Sequence, residues 1–186
     1  MQNLIIKTPV FRLVYARLHT PYRPSFVSSD VKARYMATML FDKETQPGRA
    51  WLLKHAFAMV EERFGEDTIP LIGSFIRMPL KDGEYKSDAY DFTPYYMVNA
   101  KSLNQPILRD ATQELEHEAV YTADARSLYN GCLCTAEITL FTYDAHGHRG
   151  VGASLLSVTK IAEAPITPEE ANFLSLPDGV IPEAIQ

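Results

Sequence analysis

The chain has 186 residues, of which 46% are hydrophobic and 22% are charged; these values are typical of a globular protein and exclude a disordered one. No apolar run approaches the ~20 residues that a membrane span needs, and the opening residues lack the apolar stretch of a signal peptide, so we expect no contact with a membrane. The net charge of −5 is unevenly distributed: the first forty residues carry six basic side chains and one acidic one, whereas residues 161–186 carry five acidic side chains and no Lys or Arg. A basic segment attracts a polyanion, because each neutralised phosphate releases a counterion, although surface charges also scatter by chance.

Five stretches rich in β-branched and aromatic residues predict the main strands. In chain order they are residues 11–18, 33–41, 95–100, 131–143 and 151–161. Within 131–143, small and apolar side chains at even positions alternate with polar ones at odd positions, which is the pattern of a half-buried strand. The polar link 144–149 predicts a hairpin turn between the last two strands.

Cys132 and Cys134 are the only cysteines of the chain. Two residues apart in a strand, their side chains point the same way, which is poor geometry for a disulfide, and two thiols are too few for a structural zinc site. We therefore expect reduced cysteines in the core and a protein of the cytosol.

Three segments carry helix signals. Apolar side chains recur at helical spacing in residues 51–64, and Gly65 is positioned to end that helix. The side chains at this spacing are Trp51, Leu52, His55, Phe57, Ala58 and Val60. Asp110, with Gln113 at the capping-box position, predicts a short helix. Thr167, followed by a proline and two glutamates, predicts another near the C-terminal end.

Five strands with a helical insertion suggest a small closed or partly closed β-barrel. Residues 65–93 hold prolines, glycines and many polar side chains, so we expect an irregular excursion between strands there. Among small barrels, the OB-fold has five strands and binds oligonucleotides through the face of its strands 2 and 3 and two loops. Other β-barrels and sandwiches fit the periodicity nearly as well.

Four short motifs follow one another in a recognisable order. They are YYMVNAKS at 95–102, QPILRD at 105–110, LYNGC at 128–132 and GVGA at 150–153, preceded by the strand RLVYA at 12–16. Their order and spacing resemble the T7-type family of phage-encoded single-stranded DNA-binding proteins. The resemblance covers roughly residues 11–164, which is most of the chain.

The resemblance implies a mainly β protein with a five-stranded OB-fold barrel, a helical insertion and a short C-terminal helix. It implies an OB-fold domain at residues 1–164 that binds single-stranded DNA, and an acidic C-terminal helix and tail at residues 165–186. The implied role is DNA binding without sequence preference in phage DNA replication or recombination, in the cytoplasm of the infected bacterium. A homodimer and contacts of the acidic C-terminus with phage replication proteins are the further partners it suggests. The tail departs from the family pattern, since its acids are sparse and it ends without an aromatic residue, which weakens the expectation of such contacts.

Binding a single strand without sequence preference requires cations for the phosphates and aromatic faces for the bases. The candidate residues are Arg12, Tyr15, Arg17, Tyr22, Arg23, Phe26, Lys32, Arg34, Tyr35, Arg77, Lys81, Tyr96, Lys101 and Arg109, with Tyr85, Lys86 and Tyr95 beside them. Tyr22 and Phe26 are the best stacking candidates, because both lie in the loop region after the first strand, beside Arg23, and in an OB-fold that loop borders the cleft. We expect Lys101 and Arg109 to face one rim. Core packing is the alternative role for each tyrosine.

No catalytic motif is present: the sequence has no P-loop, no nucleophile elbow and no dinucleotide-binding fingerprint, and we expect no cofactor. His146 and His148 share a turn but lack further metal ligands nearby. We interpret the chain as a non-enzyme. Two alternatives remain open. One is a virion structural or interaction barrel, and the other is a metal-dependent nuclease whose carboxylates would be Asp82, Asp88 and Asp91.

Overall fold

Strands make up most of the chain that the computed structural model describes, which comprises residues 4–26, 28–45, 49–85, 91–112, 120–121, 128–145 and 147–164. These residues form ten strands, one α-helix and two short 3₁₀ helices. In chain order the strands and the α-helix are β1 (Ile5–Lys7), β2 (Phe11–Tyr22), β3 (Arg34–Asp42), α1 (Ala50–Phe64), β4 (Ile76–Arg77), β5 (Leu80–Asp82), β6 (Tyr95–Ser102), β7 (Ile107–Asp110), β8 (Val120–Tyr121), β9 (Leu133–Ala145) and β10 (His148–Ala162). The 3₁₀ helices are Glu66–Leu71 and Gly83–Tyr85.

Five of these strands close into a ring. β2 pairs with β3, β3 with β6, β6 with β10, β10 with β9, and β9 with β2. All of these pairs are antiparallel except β6 with β10, which is parallel. The ring has the strand number of an OB-fold barrel, so the prediction of a mainly β, five-stranded barrel with a helical insertion is confirmed.

All five predicted strands are present, with ends that differ from the prediction by a few residues. The largest extension is in β2, which continues to Tyr22, and β10 begins three residues before the predicted start. The alternation in the sequence marks only the half-buried middle of each strand, and the hydrogen-bonded ladder continues beyond it. The predicted hairpin between β9 and β10 is confirmed, and Gly147 adopts a positive φ of 77° in its turn.

The excursion at residues 65–93 is less irregular than predicted. β4 runs parallel to the beginning of β10, and β5 pairs antiparallel with β6. They extend the barrel wall beside β6 and β10, which pair directly at Ala100 and Ala153. Strands of two and three residues are too short to produce a readable alternation, which is why the sequence did not reveal them.

The core fills the barrel interior with one face of each strand. Ala37, Met39 and Phe41 of β3 are buried there, together with Val98 and Ala100 of β6. The even-numbered face of β9 from Cys134 to Leu140 is buried as predicted. The thiols of Cys132 and Cys134 are buried and form no disulfide; they share a hydrogen bond with their sulfur atoms 3.5 Å apart, so the prediction of reduced core cysteines is confirmed.

Helix α1 packs against the barrel by a narrow stripe. Its fully buried residues are Leu52, Ala56 and Val60, which are spaced four apart on one side of the helix. Gly65, with a φ of 94°, ends the helix as predicted. The sequence spacing predicted a broader packed face than the helix has. The prediction is wrong for Phe57 and Ala58, which lie on the exposed side. Apolar side chains on a helix surface do not by themselves define the packed face.

A second, smaller apolar cluster lies outside the barrel. Val14, Leu40 and Met97 point away from the interior and are covered by Phe92, whose side chain is almost entirely buried. The turn at residues 91–94 thus seals one half of the outer face of β3 and β6. The other half of that face carries Met36 together with polar and charged side chains.

Asp110 does not cap a helix in this structure; it ends β7. Its carboxylate accepts hydrogen bonds from the backbone N–H and the hydroxyl of Thr112, and Lys160 lies 4.0 Å away. Gln113, the predicted helix at Thr167 and the acidic tail fall outside the described residues, as do Asp88, Lys86 and His146. Within the described part of the chain, no helix is long and apolar enough to cross a bilayer.

Candidate nucleic-acid interface

The outer face of β3 and β6 is set by the register of the two strands. Met36 stands opposite Lys101, Thr38 opposite Asn99, and Leu40 opposite Met97. These positions alternate with the buried interior residues, so their side chains point outward. Because Phe92 covers the Leu40–Met97 end, the exposed part of the face lies at the Lys101 end.

Three cations interact electrostatically at this face, and we call Arg34, Lys81 and Lys101 the basic cluster. Arg34 begins β3, Lys101 lies on β6, and Lys81 lies on β5, opposite Met97. Partial burial lowers the pKa of Lys101, and the like charges of Arg34 and Lys81 lower it further. The ion pairs found among the described residues involve other cations, namely Lys43, Arg109, Arg149 and Lys160.

Such a cluster favours an anionic ligand. Like charges held close together repel one another, and a phosphate placed between them replaces that repulsion with attraction. Lys101 is also partly withdrawn from water, which strengthens its interaction with an incoming anion. The cluster therefore has the electrostatics of a phosphate site.

Arg17 and Tyr22 extend this surface along β2. Arg17 pairs with Met36 and Tyr22 pairs with Arg34, so both lie beside the basic cluster. The Arg17 guanidinium carbon is 5.5 Å from the centre of the Tyr22 ring. A cation held against an aromatic ring places a phosphate contact next to a stacking surface. The sequence did not single out Met36, the apolar floor between Arg17 and Lys101, because an isolated methionine in a strand carries no signal of its surface position.

The loop between β2 and β3 brings one aromatic ring into solvent. The side chain of Phe26 is 64% exposed. Arg23 donates a hydrogen bond of 2.6 Å to the carbonyl oxygen of Ser29, so its guanidinium ties the loop together. Lys32 is exposed on the same loop. The ring of Phe26 is thus open to solvent, and Arg23 holds the loop by its hydrogen bond.

Three of the candidate tyrosines are placed differently from Tyr22. Tyr15 packs against Phe92, with ring centres 6.5 Å apart, and has a φ of 49° at the irregular part of β2. Tyr35 shares the alternation of the interior positions of β3. The Tyr96 ring has the charged groups of Lys43 and Arg49 at 5.2 Å and 5.0 Å from its centre. Tyr35 thus lies on the interior side of β3, whereas Tyr15 and Tyr96 contact residues outside the basic cluster.

The remaining candidate cations are dispersed around the barrel. Arg12 lines a cleft of about 200 Å³ near Asp42, at the covered end of the outer face. Arg109 lies on β7, which pairs with β10, and forms an ion pair of 3.7 Å with Glu137 of β9. Arg77 is exposed on β4, opposite Gly150 of β10.

The carboxylates proposed for a nuclease do not assemble in the described residues. Asp82 forms an ion pair of 2.5 Å with Lys43. Although burial opposes the effect, this hydrogen bond and the positive charges nearby lower the pKa of Asp82. Asp91 instead accepts a hydrogen bond from the backbone N–H of Thr93. Over the part of the chain that is described, no three His, Cys, Asp or Glu side chains are grouped as a metal site would require.

Comparison with known sequences identifies one family. Residues 3–167 match the family model described as the single-stranded DNA-binding protein of Enterobacter phage Enc34. No curated protein sequence matches the chain.

Solved structures with the same fold come from two bacteriophages. The single-stranded DNA-binding protein from bacteriophage Enc34 in complex with single-stranded DNA has a TM-score of 0.68 at 19% identity, over 87% of this chain and 88% of that one. The same phage protein by itself has a TM-score of 0.65 at 20% identity, over 88% of this chain and 84% of that one. The single-stranded DNA-binding protein encoded by bacteriophage T7 has a TM-score of 0.62 at 11% identity, over 97% of this chain and 99% of that one.

Proposed function

Because the chain belongs to the family of phage single-stranded DNA-binding proteins represented by the Enterobacter phage Enc34 protein, we propose that it coats single-stranded DNA during phage replication or recombination. It binds without base specificity and without carrying out chemistry on the strand. The observation that supports this most directly is the basic cluster of Arg34, Lys81 and Lys101 on the outer face of β3, β5 and β6. That face is where OB-folds bind oligonucleotides.

In this proposal the described residues bind the strand by two kinds of contact, namely ionic contacts to phosphates and stacking with bases. Phosphates occupy the basic cluster, with Arg17 beside it on β2. Bases stack on Tyr22 and on the exposed ring of Phe26. Every base offers a π-face and every nucleotide a phosphate, so these contacts hold any sequence. Phe92 covers Leu40 and Met97, so these two side chains do not take part in the proposed contacts.

Several finer features of the function belong to the same proposal. The protein acts in the cytoplasm of the infected bacterium, where the phage strand is exposed. It works as a homodimer, and its acidic C-terminal residues 165–186 contact replication proteins. Residues 1–164 form the binding domain in this scheme.

The contribution of the basic cluster is tested by the salt dependence of binding. The affinity of a protein for single-stranded DNA falls as the salt concentration rises. The logarithm of the binding constant falls linearly with the logarithm of the salt concentration, with a slope of about −0.7 for each phosphate neutralised. We expect the double variant Lys81→Ala/Lys101→Ala to bind labelled oligo(dT) more weakly and to reduce the magnitude of the slope by about 0.7 for each lost contact.

The matched control is Lys54→Ala, because Lys54 is an exposed lysine on α1, away from this face. It removes one positive charge and should leave the slope unchanged. Equal effects of the two kinds of variant would mean that net charge, not the cluster, governs binding. An unchanged slope in the double variant would remove the cluster from the interface.

A further inference from the structure

A pair of aromatic rings lies on the outer face of β9, away from the basic cluster. Phe141 and Tyr143 occupy consecutive outward positions of the strand, with ring centres 6.4 Å apart and ring planes inclined by 51°. The Phe141 side chain is 43% exposed. We call these two residues the β9 platform.

Two glycines on the neighbouring strand explain how the rings lie. Gly152 stands opposite Phe141, and Gly150 stands opposite Tyr143. A Cβ atom at Gly152 would be 2.5 Å from the Cζ atom of Phe141, and one at Gly150 would be 2.9 Å from the Tyr143 hydroxyl. The rings therefore lie over the bare backbone of β10. No side chain rises from these two positions to cover their outer faces.

Cations connect this platform with the basic cluster. Arg77 on β4 is exposed and pairs with Gly150, directly beside Tyr143. Lys81 on β5 lies four residues beyond the end of β4, opposite Met97 of β6. Neighbouring strands are about 4.8 Å apart, so the platform is only a few strand widths from Lys101. The pairings therefore place Lys81 beside β6 and Arg77 beside β10, on the strands next to those that hold the cluster and the platform.

We propose that the β9 platform is a second stacking site for single-stranded DNA. The bound strand runs obliquely around the barrel, from the loop holding Phe26, over the basic cluster and past Arg77, to Phe141 and Tyr143. This inference rests on the proposed function. It is supported by the alternation of cations and rings along one surface, which is the pattern that a strand of phosphates and unstacked bases requires. Asp144, which follows Tyr143 in the chain, forms an ion pair of 3.0 Å with Arg149.

An aromatic ring over a glycine also stabilises a sheet, without any ligand. A test must therefore remove the π-faces and retain the apolar cover. The double variant Phe141→Leu/Tyr143→Leu does this, and Phe141→Tyr keeps the ring. Phe57→Leu is the matched control, because Phe57 is an exposed aromatic residue on α1 with a similar exposed fraction of 37%.

The measurement is the affinity of each variant for labelled oligo(dT) of about four and about sixteen nucleotides, the range of site sizes of OB-folds. The short strand occupies only the basic cluster, whereas the long strand also reaches the platform. We expect the double variant to bind the long strand roughly 5- to 150-fold more weakly, which corresponds to the loss of about one stacked base. Its affinity for the short strand should be unchanged, and Phe141→Tyr and Phe57→Leu should match the wild type.

Each contrary outcome has a distinct meaning. If the wild-type protein binds neither strand, the proposed function fails and the platform fails with it. If the wild type binds, and the double variant binds each of the two strands as tightly as the wild type does, the platform is overturned while the proposed function stands. Equal losses for both strands with a lowered melting temperature would make the rings structural only. An altered sedimentation coefficient with unchanged affinity would assign them to contacts between copies of the chain, which also overturns the inference.

Discussion

At the scale of single residues, Lys101 shows how the barrel prepares a site for an anion. Its side chain is partly withdrawn from water, and Arg34 and Lys81 surround it with like charge. Both effects penalise the protonated amine, so the pKa of Lys101 lies below its ordinary value. A bound phosphate reverses the second effect, and DNA binding is therefore coupled to proton uptake at this lysine.

This coupling predicts a pH dependence that one substitution removes. The affinity of the wild-type protein for oligo(dT) should fall as the pH rises toward the ordinary lysine pKa of about 10.4, because phosphate favours the protonated amine and Lys101 loses its proton below that pH. In Lys101→Arg the guanidinium remains charged throughout this range, so the variant should retain more of its affinity at high pH. Anisotropy titrations at several pH values measure the difference. Parallel curves for the two proteins would contradict the assignment of Lys101 to the site.

The sequence predicted the kinds of residue in the site better than their grouping. Arg34, Lys81 and Lys101 are far apart along the chain, and only the pairing of β3, β5 and β6 brings them together. Tyr96 has the aromatic side chain that stacking requires, but the charged groups of Lys43 and Arg49 lie against its ring. Neither outcome can be derived from residue type, because both depend on strand register.

At the scale of elements, the turn at residues 91–94 decides which part of the outer face is available. Phe92 is buried against Val14, Leu40 and Met97 outside the barrel. The turn is held by Gly83, where a Cβ atom would lie 2.0 Å from the carbonyl oxygen of Phe92. An apolar cover of this kind contributes to stability and leaves the Lys101 end of the face exposed.

Removing that cover should cost stability. We expect Phe92→Ala to lower the free energy of unfolding by about 3–5 kcal/mol, the usual range for truncating a buried phenylalanine. Phe57→Ala removes an equal ring from the surface of α1 and should change it by less than about 0.5 kcal/mol. Urea denaturation followed by circular dichroism compares the two. Similar small changes in both would show that the 91–94 turn does not seal the face.

Alternation and helical spacing located the long elements and missed the short ones. β9 and β10 were predicted because their buried faces repeat over many residues. β4 and β5 are too short to repeat. The outward positions Phe141 and Tyr143 continue the polar face of β9, and neither residue was among the predicted stacking residues.

At the scale of the whole molecule, strand patterns alone did not select the OB-fold. They fitted several barrels and sandwiches, and closure depends on long-range pairs such as Phe11 with Cys134 and Ala100 with Ala153. The order of short motifs supplied the missing information through the resemblance to phage single-stranded DNA-binding proteins, and the family match over residues 3–167 confirms it. The role of the acidic C-terminal residues remains a prediction.

The central claim is that the barrel binds single-stranded DNA through phosphates and stacked bases. The most direct test is fluorescence anisotropy of a labelled oligo(dT) strand and of its duplex, titrated with wild-type protein at two salt concentrations. We predict tight binding of the single strand that weakens as salt rises, and weak binding of the duplex, whose bases cannot stack on Tyr22 or Phe26. No binding of the single strand at low salt, or equal binding of strand and duplex, would contradict the account.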